Sequence, residues 1–432
     1  MKLVRKSRTT ASQANRGKSV IDSIAEAGGS TRYGSFRGPS RTSRFCLRKE
    51  GLIWRYVTCR VIAYIAGRTN RAHEAGMSKF KRWIARIVSA MFGFAVLILL
   101  WGFIYEQIGR SRDASRMPPR IGQAVDLGGR TLNLYCSGEG TPTVILETGG
   151  NGAGYEWMPV QTKLASVTRT CWYDRAGVGW SDPPHSPRTS ASVVSDLHEM
   201  LSRAAVAPPY VLVGASIGGE YARIYASRYP HEVAGVVLVD SSHPDQQEPA
   251  FLLSAFNRMS PNGRELICAA LPFMARFGIL RFMASRMGGP VPSESSPDRE
   301  ILAKLNSEPK ALRTDAEQGC AATDGGRLVP ARGTGNPELD TAARNASSFG
   351  DLPLIVLTAE QYWTPPGLEK EAADYHEIWV HQLQASLAKL STRGRQVVVD
   401  AHHDMSEAPD AVVTATREVV NEARASLGHG RS

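Results

Sequence analysis

Gly214-Ala215-Ser216-Ile217-Gly218 sets a serine between two glycines, where the apolar run YVLVGA meets a helix-forming stretch. A serine hydroxyl is a poor nucleophile near its own pKa and needs a base within hydrogen-bond reach. On a sharp strand-to-helix turn it stands clear of its neighbours, and glycines flank it because side chains there would collide. The helix that follows offers free N–H groups and a positive dipole end, suited to an anion forming beside the serine. In a chain with 40 glycines the pattern alone is weak. Its place between a strand and a helix gives it weight. The order for such an elbow is serine, then acid, then histidine. VVVDAHHDMSEAP supplies His402 and His403 after the last apolar strand and before the last helix. A lone histidine is more often structural, but at this place a base is the stronger reading. His403 would take the serine proton and return it to the leaving group.

The elements that must position these residues alternate. TLNLYC (131–136), TVILE (143–147), TRTCWYD (168–174), YVLVGA (210–215), AGVVLVD (234–240), LPLIVLT (352–358) and RQVVVD (395–400) read as short strands. Helical spacing falls at 156–166, 190–205, 217–228, 369–390 and 408–426. Such alternation predicts an α/β fold, a mainly parallel sheet with helices on both faces. In such sheets ligands bind beyond the carboxyl ends of the strands, where Ser216 and His403 lie. Between 244 and 350 the alternation stops. Apolar helical patches such as FLLSAFNRM and ELICAALPFMARFGILRFM predict a helical cap inserted between core segments 121–243 and 351–426, with flexible joints at 288–300 and 321–350.

The formal charge of +10 sits in one place. Residues 1–76 hold 16 Lys and Arg against 4 acids, so the remainder is slightly acidic and nucleic acid is excluded as a main partner. Composition predicts disorder for 1–76, apart from a marginal helix at LIWRYVTCRVIAYIAG. Met77 opens MSKFKRW, which reads equally as a start, so whether 1–76 is translated stays open. Residues 87–105, IVSAMFGFAVLILLWGFIY, carry no charge and are long enough to span a bilayer. Lys79, Lys81, Arg82 and Arg86 precede the run, and Trp83, Trp101 and Tyr105 sit near its ends. The expectation is a transmembrane anchor at 77–106, a linker at 107–120 and a folded body on the extracytoplasmic side of the membrane. A cleavable signal peptide is the runner-up. Four of the six cysteines, Cys136, Cys171, Cys268 and Cys320, follow the run, an even number suited to an oxidising compartment.

LETGGNG, YDRAGVGWSD, GASIGG, VLVDSSHPDQ and HHDMSEAP, in this order over 121–425, resemble the α/β-hydrolase family, and in particular exported or anchored bacterial members with a helical cap. The resemblance implies a serine hydrolase of ester-like small molecules, with an oxyanion hole from the N–H of Ile217 and that of Gly150, or next best Asn151. It implies no metal or organic cofactor, and it makes YDRAGVGWSD a structural turn. His402 stands where the family commonly has glycine. The family's usual acid follows the strand LPLIVLT, and there Tyr362 fills the slot while Glu360 lies two positions early. Other members carry the acid one strand earlier, where this chain has Asp240. Asp240 is therefore expected over Glu360, against the reading that it only caps a turn. The family's strand order also makes Cys136 and Cys171 neighbours, within reach of a disulfide; Cys268 with Cys320 is the remaining pair. Other serine-dependent reactions of this fold stay open, namely aminopeptidase, C–C hydrolase and cofactor-free haloperoxidase chemistry. So does a non-catalytic membrane-anchored binding module.

Overall fold

The structure, a computed structural model, describes residues 52–150, 152–185, 189–246, 260–287, 299–314 except 307 and 312, 323–324, 327–328, and 337–429 except 347, 404 and 406. The chain divides into two units, Met1–Met91 and Phe92–Ser432. In the first, the described residues are all helical. They belong to α1 (Leu52–Arg116), a helix of 65 residues that continues into the second unit. Within α1, Lys79–Asp113 is long and apolar enough to cross a membrane. Two expectations need correction. The marginal helix of the leading segment is part of α1, and residues 1–51 lie outside the described residues. The expected linker 107–120 is helical as far as Arg116. No proline interrupts EQIGRSRDASR, an Arg110–Glu106 pair (2.8 Å) braces one turn, and the helix stops just before Pro118 and Pro119.

The second unit is built on an eight-stranded sheet. Its strands are β1 (Gln123–Asp126), β2 (Thr131–Ser137), β3 (Thr143–Glu147), β4 (Thr170–Tyr173), β5 (Tyr210–Ala215), β6 (Val233–Val239), and, beyond the cap, β9 (Leu354–Ala359) and β10 (Gly394–Val399). The order across the sheet is β1-β2-β4-β3-β5-β6-β9-β10. Only the β1–β2 and β2–β4 pairings are antiparallel. Strands β3 and β9 are buried at every position, as continuous Val/Ile/Leu runs should be when both sheet faces are covered. The expected strand bounds stand within two residues, but β1 is not among the runs that read as strands. Four residues with one buried side chain carry no readable alternation.

Two apolar layers enclose the sheet. One holds α3 (Ser190–Arg203) and α4 (Ile217–Arg228), with Leu197, Leu201, Tyr221 and Tyr225 buried against Leu212 and Leu238. The other holds α2 (Met158–Leu164) and α11 (Pro409–His429), with Leu164, Val412 and Val419 against Val213 and Val237. Each fully buried Leu or Val side chain contributes roughly 1.5–3 kcal/mol. Cys136 and Cys171 face each other across the antiparallel β2–β4 pair, with Cα atoms 4.1 Å apart, and are disulfide-bonded. Cys268 is also disulfide-bonded; Cys320, its expected partner, lies outside the described residues.

The segment between β6 and β9 contains α5 (Pro261–Arg276), α6 (Ile279–Met287), α7 (Arg299–Asn306), a short ribbon of β7 (Thr323–Asp324) and β8 (Arg327–Leu328), and α8 (Pro337–Asn345). FLLSAFNRM lies outside the described residues. The expected flexible joint 321–350 contains α8, whose Leu339 and Ala343 are fully buried, and whose residue Ala343 accepts a bond from Arg223 of α4 (2.7 Å) at its carbonyl. The expected helix 369–390 is present as α9 (Glu369–Ile378), a π-helical turn at Trp379–Gln384, and α10 (Ala385–Ala388).

Helix α4 also buries an ionisable group. Glu220 is fully enclosed, and neither carboxylate oxygen accepts a hydrogen bond among the described residues. Burial, reinforced by the nearby Asp340, pushes its pKa up to about 8, against the pull of Arg223 and Arg344. The folded state therefore holds a proton that the unfolded chain releases near its ordinary value. The stability this contributes is complete at acidic pH and is lost as pH rises to about 8, on the order of 4 kcal/mol. Glu220→Gln is expected to flatten that slope and to raise the melting temperature at pH 9. Thermal unfolding between pH 5 and pH 9 checks it, and parallel curves for the two proteins would refute it.

Candidate active site

Ser216 lies between β5 and α4 with φ 50° and ψ −125°, a left-handed conformation that a non-glycine residue adopts only at a cost. Of the four described non-glycine residues with positive φ, two are Ser216 and Asp240, and a third, Met405, follows His403 by two. Backbone strain thus gathers at the carboxyl end of the sheet. The elbow is crowded enough to need its glycines. A Cβ at 214 would come 2.5 Å from the Gly218 carbonyl oxygen, and one at 218 would come 2.4 Å from that of Thr148. Ser216 N–H donates to the Val239 carbonyl (3.0 Å), and the Ser216 carbonyl accepts from Ser242 N–H (2.9 Å), which ties the turn to the end of β6.

Three side chains from three strand ends meet here. His403 Nε2 lies 3.0 Å from Ser216 Oγ, and His403 Nδ1 lies 2.5 Å from Asp240 Oδ2. Asp240 follows β6 directly and is buried, while the imidazole is 55 % exposed, open to an incoming molecule. The other carboxylate oxygen, Oδ1, accepts from Ala359 N–H (3.0 Å) and from Trp379 Nε1 (2.9 Å). Trp379 comes from the π turn, whose far end places Gln384 Nε2 on the Ser241 carbonyl (2.6 Å). With both its oxygens engaged, Asp240 has one orientation, and it fixes the histidine edge on.

The remaining candidates fall elsewhere. Glu360 is exposed, and its backbone N–H bonds Val399. Tyr362 stacks on His376 with ring centroids 4.1 Å apart. His402 is turned away on Glu407, Nδ1 to Oε1 2.5 Å. The Ile217 N–H opens α4, where the first N–H groups have no acceptor within the helix. On the loop after β3, Gly149 makes the close approach, since a Cβ there would sit 3.1 Å from Ser216 Cβ. Gly150 follows with φ 36°, and Asn151 lies outside the described residues.

Reading YDRAGVGWSD as a plain structural turn missed Arg175. Asp174 does build the turn: its buried carboxylate accepts from Gly154 N–H (2.7 Å), Trp180 N–H (2.9 Å) and Asn133 Nδ2 (3.1 Å), and burial raises its pKa to about 6. Arg175 reaches across to the loop after β3. It donates to the carbonyls of Thr148 (2.7 Å), Gly149 (3.1 Å) and Gly150, while its buried guanidinium pairs with Glu147 (2.5 Å). Three carbonyls held from one side leave that loop little freedom beside Ser216. Arg175→Lys keeps the charge but cannot span three acceptors. It is expected to lower kcat by about 10²-fold with little change in KM, as for a slightly misplaced reaction geometry. Steady-state kinetics on an ester substrate checks it, and an unaltered kcat would mean that the loop holds itself.

Residues 142–265 match the family model described as the alpha/beta hydrolase fold. The uncharacterised protein YbdG of Bacillus subtilis is 29% identical over 221 residues, 49% of this chain and 65% of that protein. A 2-hydroxymuconate semialdehyde hydrolase of a Pseudomonas species is 31% identical over 132 residues, 30% of this chain and 47% of that protein. The chain thus spans less than two thirds of the length of these curated relatives. Among solved structures, an enol-lactonase from Burkholderia xenovorans superposes with a TM-score of 0.46 at 15% identity, covering 69% of this chain and all of that one. With a strand–elbow–helix unit at Ser216 inside the matched segment, and parallel strands and covering helices around it, the chain has the α/β-hydrolase fold.

Proposed function

We propose that the protein is a serine hydrolase that cleaves an ester or related acyl bond through an acyl-enzyme on Ser216. The observation that carries this reading is the unbroken hydrogen-bonded line Ser216 Oγ–His403–Asp240. Ser216 Oγ attacks the substrate carbonyl as His403 Nε2 takes its proton. Asp240 holds the imidazole with Nδ1–H toward itself and stabilises the imidazolium. The oxyanion of the tetrahedral intermediate lies against the N–H groups of Ile217 and Gly150, each worth roughly 3 kcal/mol in the transition state. His403 then protonates the departing alcohol, water enters, and the same proton path runs in reverse. No step calls on a metal or an organic cofactor.

The reading includes place. The apolar span of α1 supports a single anchor, and the basic residues before it support an N-terminus on the cytoplasmic side. The Cys136–Cys171 disulfide supports an oxidising compartment for the hydrolase body. A fluorophosphonate probe applied to the detergent-solubilised full chain should leave an adduct on the Ser216 peptide. A series of p-nitrophenyl esters of increasing acyl length should then be turned over with a length optimum. No adduct and no turnover would return the chain to the binding-module reading.

A further inference from the structure

The cap carries apolar side chains that nothing among the described residues of the second unit covers. On α5, Leu266 is 70% exposed and Phe273 46%, and they stand seven positions apart on one helix face. On α6, Ile279, Phe282 and Met283 form an exposed stripe at i, i+3, i+4, with Phe282 at 52%. Both helices are cationic at their ends, with Arg276 and Arg286 exposed, and the Arg286 guanidinium lies over the Phe282 ring at 5.2 Å.

The two helices join α1 where the apolar run ends. The junction between α5 and α6 presses on the last turn of that run: a Cβ at Gly102 would meet the Phe277 carbonyl oxygen at 2.6 Å, and Phe277 packs on Phe273 with centroids 4.6 Å apart. Gly278 sits beside Tyr105, itself stacked on Trp101. One turn further out, Arg281 is buried between Glu106 (2.9 Å) and Asp113 (2.6 Å) and lies flat over Gly109. Residues 102, 105, 106, 109 and 113 follow one face of α1, so the cap is docked along it by packing and by a buried ion cluster. Arg281 lies on the side of α6 opposite its apolar stripe, and the stripe therefore points away from α1. At 1.5 Å per residue, the stretch from Gly102 to Gly109 spans about 10 Å, comparable to the headgroup zone outside the hydrocarbon core.

We infer that the exposed face of α5 and α6 lies in the headgroup–acyl boundary of the bilayer that α1 crosses, with Arg276 and Arg286 toward anionic headgroups. The inference rests on the reading of α1 as a membrane anchor. An interfacial helix buries an apolar face flanked by cations in this way. A second protein as occupant has nothing comparable on its side, because α5 and α6 are docked on α1 where its apolar run ends.

The test uses the full chain in vesicles of phosphatidylcholine and phosphatidylglycerol, with an environment-sensitive fluorophore on one introduced cysteine at a time. Leu97→Cys reports the anchor, Phe282→Cys the cap face, and Lys389→Cys the aqueous body of the domain. The expected result is blue-shifted emission at 97 and 282, quenching there by lipid-borne nitroxide, and loss of the iodide quenching seen at 389. Phe273→Cys repeats the reading should the 282 variant fail to fold, as judged by ester hydrolysis. A label at 282 or 273 quenched by iodide while that at 97 stays protected overturns the cap inference and leaves the anchor standing. Iodide quenching at 97 as well overturns both.

Discussion

Ser216→Ala is expected to lower kcat by about 10⁶-fold, some 8 kcal/mol of transition-state stabilisation, with the melting temperature nearly unchanged. The loss is large because in the proposed mechanism the hydroxyl is the attacking atom, and no neighbour takes its place. Ser242 Oγ lies 3.5 Å from Ser216 Oγ, but it is Ser216 Oγ that stands in hydrogen-bond reach of His403 Nε2 (3.0 Å). The fold should persist because the substitution keeps the Cβ, the backbone bonds to Val239 and Ser242, and the packing of Gly214 and Gly218. The variant should also lose labelling by a fluorophosphonate. Equal labelling of the two proteins would remove Ser216 from the mechanism.

The second large effect is at Asp240, and its hydrogen bonds dictate the direction. Oδ1 accepts two fixed donors, Ala359 N–H and Trp379 Nε1–H. In Asp240→Asn the amide oxygen must occupy that site, since an NH₂ there would face both donors. The NH₂ then takes the Oδ2 position and points at His403 Nδ1. A donor at that place forces Nδ1 to accept, so the proton moves to Nε2, the nitrogen that must be free to deprotonate Ser216. The kcat is expected to fall about 10⁴-fold with little structural change. Glu360→Gln, at an exposed side chain with no part in this line, should change kcat by less than about twofold, as surface substitutions away from a site usually do. The reverse pattern would give the acid's role to Glu360.

What could be read from the sequence follows from how local each signal is. The buried parallel strands announce themselves as apolar runs, and β3 and β5 fall where the runs do. Ser216 is marked by its glycines and its neighbours in the chain. Asp240 needed a comparison of two strand ends, one of which held a tyrosine in the usual acid position. Arg175 was passed over because its role depends on a loop 25 to 27 residues away in the chain, and nothing in YDRAGVGWSD records that approach. The same holds for α8, a short helix in a glycine- and proline-rich region whose reason to be helical is its packing on α4. The length of α1 was underestimated because a polar sequence was read as a linker, although it contains no proline before Pro118.

The wide turn at Trp379–Gln384 bears on chain length. Trp379 and Gln384 are five residues apart, and both reach the segment after β6, one at Asp240 and the other at Ser241. On an ordinary α-helix such a pair diverges by about 140° around the axis. A turn closed by i→i+5 bonds brings them back to one side. The turn therefore absorbs one residue more than an α-helix would need, and His381 and Gln382, both exposed, are where the surplus lies. Removing either would leave the two anchors four apart, about 40° around an α-helix, still facing the same strand end. A homologue one residue shorter here can present the same pair to its acid, so a single gap between 380 and 383 in an alignment is no sign that this side of the site has changed.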